Sequence, residues 1–197
     1  TDAYNTAIGY QAGTNVTTGV KNTSIGARTM QATTVGQENV ALGYQALFTN
    51  VDGSKSVAIG ANSLLSQEPA SAVDMYNTAV GYNSGYSITT GVQNTIIGGL
   101  AGDALTTGDY NVAIGVQALG SETIGNGSVA IGKGALETQN SFAGSLVFNT
   151  AIGYEAGNSI TGGAGTGDNN TAIGAKSLDA ETTGQENTAV GVDALGG

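Results

Sequence analysis

Apolar and polar residues recur along this chain as a five-residue phrase rather than as a helical stripe. The phrase reads Asn or Ser, then Thr or Val, then Ala, an aliphatic residue and Gly. It begins at Asn5, Asn22, Asn39, Asn77, Asn94, Asn111, Asn149, Asn170 and Asn187, and with serine at Ser56 and Ser128, which makes eleven copies. Within it the pattern has period two: the Thr/Val and Ile columns share one face, and the Ala and Gly columns share the other. The phrase therefore predicts a short β-strand. Gly and β-branched residues return too often for an unbroken 3.6-residue stripe, so helix is disfavoured.

The phrase-ending glycines stand at 9, 26, 43, 60, 81, 98, 115, 132, 153, 174 and 191, so by subtraction the steps are 17, with three steps of 21. A 17-residue unit with three four-residue insertions is a solenoid signature. A second glycine column follows ten residues later (Gly19, Gly36, Gly53, Gly91, Gly108, Gly125, Gly184), predicting two tight corners per coil. A small residue and a Leu or Gly, as in Ala46-Leu47 and Ala118-Leu119, predict a second short buried strand. The expected fold is all-β, a parallel β-roll or β-solenoid of about eleven coils over residues 1–197, one region of a longer fibre. Stacked at about 4.8 Å per coil, it forms a rod on the order of 50 Å long.

Stacking places equivalent residues above one another. The aliphatic column from Ile8 to Val190 is expected to become a continuous buried spine. The Asn column is expected to become a side-chain amide ladder, interrupted at Ser56 and Ser128. A roll this thin buries little by itself, and the small Ala/Gly face is expected to admit a neighbouring chain, giving a homo-oligomer. Uncapped terminal coils imply cover by further sequence or end-to-end stacking.

Composition narrows the chemistry. There are 5 Lys and Arg against 15 Asp and Glu, a formal net charge of -10, and no His or Cys. So few cations cannot track a phosphate backbone, so no nucleic-acid partner is expected. Common zinc sites, thiol nucleophiles and His-based triads cannot be built, and neither an enzyme nor a cofactor is expected. No apolar run is long enough for membrane insertion as a helix. Abundant Thr, Asn and Gly suit an extracellular, cell-surface or virion setting.

Ser56-Val57-Ala58-Ile59-Gly60 and Ser128-Val129-Ala130-Ile131-Gly132 resemble the repeat of YadA-like head domains of trimeric autotransporter adhesins. The form at Asn5 to Ala12 also resembles repeats of phage tail fibres and bacterial surface fibres. The resemblance covers all eleven copies and implies a left-handed parallel β-roll, three chains side by side, displayed outside a cell or on a virion. The 17-residue unit is longer than usual for such heads.

Surface candidates are of two kinds. Tyr10, Tyr44, Tyr82 and Tyr154 directly follow the phrase glycine, and Tyr4, Tyr76 and Tyr110 directly precede the Asn. The insertions carry Pro69, Phe142, Phe148 and the run Gly162 to Gly167. Both sets could contact a glycan or a surface protein, and both also suit plain packing or tolerated loops. The expected function is a stiff structural fibre with an adhesive role, acting by multivalent contact. The alternative is a polysaccharide-degrading phage tailspike, for which Glu68 with Asp74, or Glu155 with Asp168, would be the carboxylate pairs. Surface solvation is the stronger reading of those acids, and Thr-Gly corners such as Thr17-Thr18-Gly19 read as turn chemistry rather than an ice-binding array. No repeat typical of calcium solenoids occurs.

Overall fold

The computed structural model describes residues 3–141, 146–161, 166–180 and 183–196. Eleven three-residue strands, one per phrase, form a single parallel sheet: β1 (Thr6–Ile8), β2 (Thr23–Ile25), β3 (Val40–Leu42), β5 (Val57–Ile59), β7 (Thr78–Val80), β8 (Thr95–Ile97), β9 (Val112–Ile114), β10 (Val129–Ile131), β11 (Thr150–Ile152), β12 (Thr171–Ile173) and β13 (Thr188–Val190). Each strand pairs in register with its neighbours, Ala113 with Ala130 and Ile114 with Ile131, so equivalent residues do lie over each other. Two short strands, β4 (Gly53–Ser54) and β6 (Val73–Asp74), form a second parallel pair where the first insertion returns to the rod. The chain is thus an all-β parallel solenoid, and no helix is present among the described residues.

Two expectations require correction. The second buried segment is buried but is not a strand. Ala46 and Leu47 are fully buried, yet the segment is a turn in which Met30, Leu47, Leu64, Leu119, Leu136 and Leu178 adopt φ between 46° and 56°. Such left-handed backbone costs an ordinary residue roughly 1 kcal/mol. Here a leucine buried at the coil centre, worth about 2 kcal/mol, offsets that cost.

The two strand faces are also inverted relative to the sequence reading. Ala41, Ala58, Ala79, Ala113, Ala130, Ala151 and Ala172 are buried, whereas the aliphatic column lies outside. Ile8 is 59% exposed, Leu42 45% and Ile152 38%, and Ile114 is half-buried. The cause is the narrow cross-section. Where the turn carries Leu or Met, that side chain already occupies the middle of the coil and leaves the inward side of the strand room for little more than a methyl group; beside Gly102 the same inward position takes Ile96, fully buried.

Nine of the coils fill their centre in one of two ways. Where the turn carries Met30, Leu47, Leu64, Leu119 or Leu136, the residue three positions on is buried and polar: Thr33, Asn50, Gln67, Glu122 or Gln139. Where it carries Gly13, Gly85, Gly102 or Gly157, that residue is aliphatic: Val16, Ile88, Leu105 or Ile160. A Cβ on Gly85 would lie 2.9 Å from Ile88 Cδ1, so the two side chains compete for one volume.

The corner glycines are explained by close approach. Gly115 has φ +135°, and a Cβ there would lie 2.5 Å from the carbonyl oxygen of Gly132 in the next coil. At Gly36 the φ is unexceptional, but a Cβ would again meet the next carbonyl, Gly53 O, at 2.5 Å.

Candidate functional site

The longest continuous feature is the outward strand face. It presents the Thr/Val column, the Ile column and, beyond the glycine corner, the Tyr10, Tyr44, Tyr82 and Tyr154 column, which are 69%, 50%, 59% and 47% exposed. The resulting apolar band runs the whole length of the sheet. Tyr4, Tyr76 and Tyr110 stand exposed in a separate column at positive φ, together with Phe148, while Phe142 lies outside the described residues. Of the insertions, the first exposes residues 70–74 but buries Pro69. The four-residue segments 142–145 and 162–165, which fall on the other two, lie outside the described residues.

The Asn column does form a ladder, though of a different kind from stacked amides. Each Asn Oδ1 accepts the backbone N–H of the next ladder residue, as from Asn111 N to Asn94 at 2.9 Å and from Asn170 N to Asn149 at 2.8 Å. Each Nδ2 donates to a corner carbonyl of the next coil: Asn5 to Gly19, Asn22 to Gly36, Asn39 to Gly53, Asn77 to Gly91 and Asn111 to Gly125. A direct amide contact, Asn94 Nδ2 to Asn77 Oδ1 at 3.3 Å, is secondary. Asn187 N continues the ladder by donating to Asn170 Oδ1. The side chains therefore staple strand starts to corners, each bond contributing about 1 kcal/mol net.

The serines do not leave gaps. Gln67 reaches across to Ser56, accepts from Asn77 Nδ2 at 3.0 Å and donates to Asn50 Oδ1 at 3.1 Å. Gln139 does the same for Ser128 and Asn149, and donates to Glu122 Oε2 at 2.9 Å. Nothing in the phrase itself signals these glutamines. Their signal is the coincidence of Ser, an insertion and a Gln eleven residues on.

Glu122 is the most enclosed carboxylate. Its Oε1 accepts the successive N–H groups of Thr123, Ile124 and Gly125 at 2.9, 3.0 and 2.7 Å, and Oε2 accepts Ser141 Oγ at 2.7 Å. Elsewhere the corresponding N–H groups point at a carbonyl of the next coil, as Thr17, Thr18 and Gly19 do at Thr34 O. Burial pushes Glu122 toward protonation. Ser141, Gln139 and the amides of Gly125 and Ile124 outweigh it and hold the carboxyl below the usual range.

The acid pairs considered for glycan cleavage are placed as follows. Asp74 is bound by Lys55 at 2.7 Å on the surface, and Glu68 accepts Val51 N at 2.7 Å. Glu155 lies 3.8 Å from both Lys133 and Lys176, and Asp168 is buried with Oδ1 unpartnered, its pKa raised by desolvation. Asp74, Glu68 and Glu155 are thus each engaged by separate local partners. Among the described residues there is no enclosed cleft, and no group of three acidic side chains gathers to hold a metal ion. No helix of the described residues is long and apolar enough to cross a membrane.

No protein-family model matches the chain, and comparison with curated proteins and with solved structures gives no match.

Proposed function

We propose that this chain is a stretch of a structural fibre, extracellular or on a virion, whose rods associate side by side through the outward Ile face and adhere through repeated surface contacts. The observation that carries this is the unbroken apolar band on an otherwise polar rod. Contiguous exposed apolar surface of this extent marks an association site. Burying the exposed part of one of the more exposed of these residues, such as Ile152, stabilises association by about 2 kcal/mol before ordering costs, with a smaller gain where the residue is half-buried, as at Ile114. The resemblance to YadA-like head repeats and phage-fibre repeats supports three chains as the assembly. Straight in-register stacking suits a spacer, and many weak contacts at fixed intervals sum to avidity.

The test is light scattering on the purified chain together with an Ile97→Asp/Ile152→Asp variant. Both positions are exposed, at 37% and 38%, so the variant should keep the β-sheet circular dichroism of the parent. The parent should have the mass of a trimer or larger multiple, and the variant that of one chain. A parent that stays monomeric at micromolar concentration would refute the association. A glycan digest releasing new reducing ends would overturn the fibre reading in favour of the tailspike.

A further inference from the structure

The geometry points to a slot between Tyr44 and Tyr82, floored by Ala61, that we propose receives a lysine side chain of a basic partner protein. The three residues occupy consecutive rungs of one column: Asn62 N donates to Tyr44 O at 2.8 Å and Asn83 N to Ala61 O at 3.0 Å. The two tyrosines are therefore two coils apart, about 9.6 Å along the axis. A cation midway lies about 4.8 Å from each ring, inside the roughly 6 Å reach of a cation–π contact.

The chain shows the chemistry of such a slot with its own residues. In the same column Lys133 places its ammonium 5.2 Å from the centre of the Tyr154 ring, one rung away. In the other tyrosine column Lys55 Nζ also lies 5.2 Å from the centre of the Tyr76 ring, but there it donates to the Tyr76 hydroxyl at 3.2 Å, a contact at the ring's edge. In the Tyr154 column, then, a lysine on the rung next to a tyrosine comes within cation–π reach of the ring. At Ala61 that lysine is replaced by a methyl group, and the rings on both sides remain half or more exposed. Charge favours the same occupant, since a net charge of -10 draws cationic partners toward the rod. The related pair Tyr10 and Tyr44 spans Ala27, but the exposed cation Arg28 follows directly and repels a second one.

This deepens the adhesive part of the proposed function and rests on the tyrosine column staying outside the Ile-face contact between rods. The test measures fluorescence anisotropy of labelled octalysine with the assembled protein at low salt, against octalysine acetylated at every side chain. Tyr44→Ala and Tyr82→Ala should each weaken binding about three- to fivefold, whereas Tyr44→Phe and Tyr10→Ala at the Arg28-flanked slot should leave it near the parent value. The acetylated peptide should not bind. Equal binding by the parent and both alanine variants, or by the acetylated peptide, would overturn the slot. Light scattering on the same samples separates the two ideas: a fall in assembly mass with Tyr44→Ala would assign the ring to the contact between copies and refute the slot.

Discussion

The two ways of filling a coil make a quantitative prediction at Gly85 and Ile88. Gly85→Leu places a side chain whose first atom would lie 2.9 Å from Ile88 Cδ1 and 3.0 Å from Leu64 Cδ2. Overpacking of this kind costs about 3 kcal/mol. The backbone adds roughly 1 kcal/mol, since Gly85 sits at φ +58°, where the leucines of other coils already sit. Ile88→Thr removes aliphatic volume and buries a hydroxyl, at a cost of about 2 kcal/mol. Added independently, the two changes would cost about 6 kcal/mol. Made together they recreate the Met30 and Thr33 arrangement, in which Thr33 Oγ1 donates to Asn50 O at 2.6 Å. The double variant should then lose only about 3 kcal/mol, a favourable coupling of about 3 kcal/mol. Urea melts of the parent, both single variants and the double variant measure this. Additivity within about 0.5 kcal/mol would mean that the two positions do not share one volume and that their pairing along the chain is accidental.

Two further outcomes follow from the corners and the buried carboxylate. Gly115→Ala should prevent stable folding, because the added methyl would lie 2.5 Å from a backbone oxygen at a φ of +135°; a melting temperature within a few degrees of the parent would contradict the close stacking of corners. Glu122 has a folded pKa below its unfolded one, so its contribution is complete above the ordinary carboxyl pKa of about 4.3 and is lost as pH falls through the lower folded value. Glu122→Gln should therefore be less stable than the parent at pH 7, with the gap narrowing in acid. Comparing the two proteins isolates Glu122 from Glu68, Asp103 and Asp168, whose pKa values are raised by burial and which favour folding in the opposite direction. A gap independent of pH would show that the carboxylate charge is not what the N–H groups hold.

The coil length, the register and the corners were legible because they are set by spacing, and spacing survives in a sequence without knowledge of depth. Which face is inside was not, since both Ala and Ile are apolar and period two says only that they point apart. The answer depends on the width of the coil, which Leu47 and its equivalents determine from the turn. The partnership of Gly85 with Ile88, and of Leu47 with Asn50, is present in the sequence as well, but it becomes meaningful only once both side chains are known to reach one centre. The ladder asparagines were identifiable as a column, whereas their partners were not. A side-chain amide reads as a partner for its like until the corner carbonyls of Gly36 and Gly125 are seen within 2.8 Å.

The insertions show what governs variation in such a rod. A regular Asn donates to the carbonyl fourteen residues on, and four extra residues displace that acceptor. At Ser56 and Ser128 the donor is removed with it, and Gln67 and Gln139 link the serine to the next Asn, while Glu122 takes the N–H groups that would have met a carbonyl. At the third insertion the Asn is kept, and Asn149 Nδ2 finds Gly167 O at 2.6 Å and Gln139 Oε1 at 2.9 Å. Buried donors and acceptors left unpaired would each cost about 1–3 kcal/mol, so neighbouring side chains complete most of the hydrogen bonding at each excursion, with Asp168 Oδ1 left unpartnered at the third. Longer loops are therefore confined to coils carrying such a repair, and the outward columns, which bear no buried hydrogen bonds, are where residues such as Tyr44 and Tyr82 can change without cost to the stack.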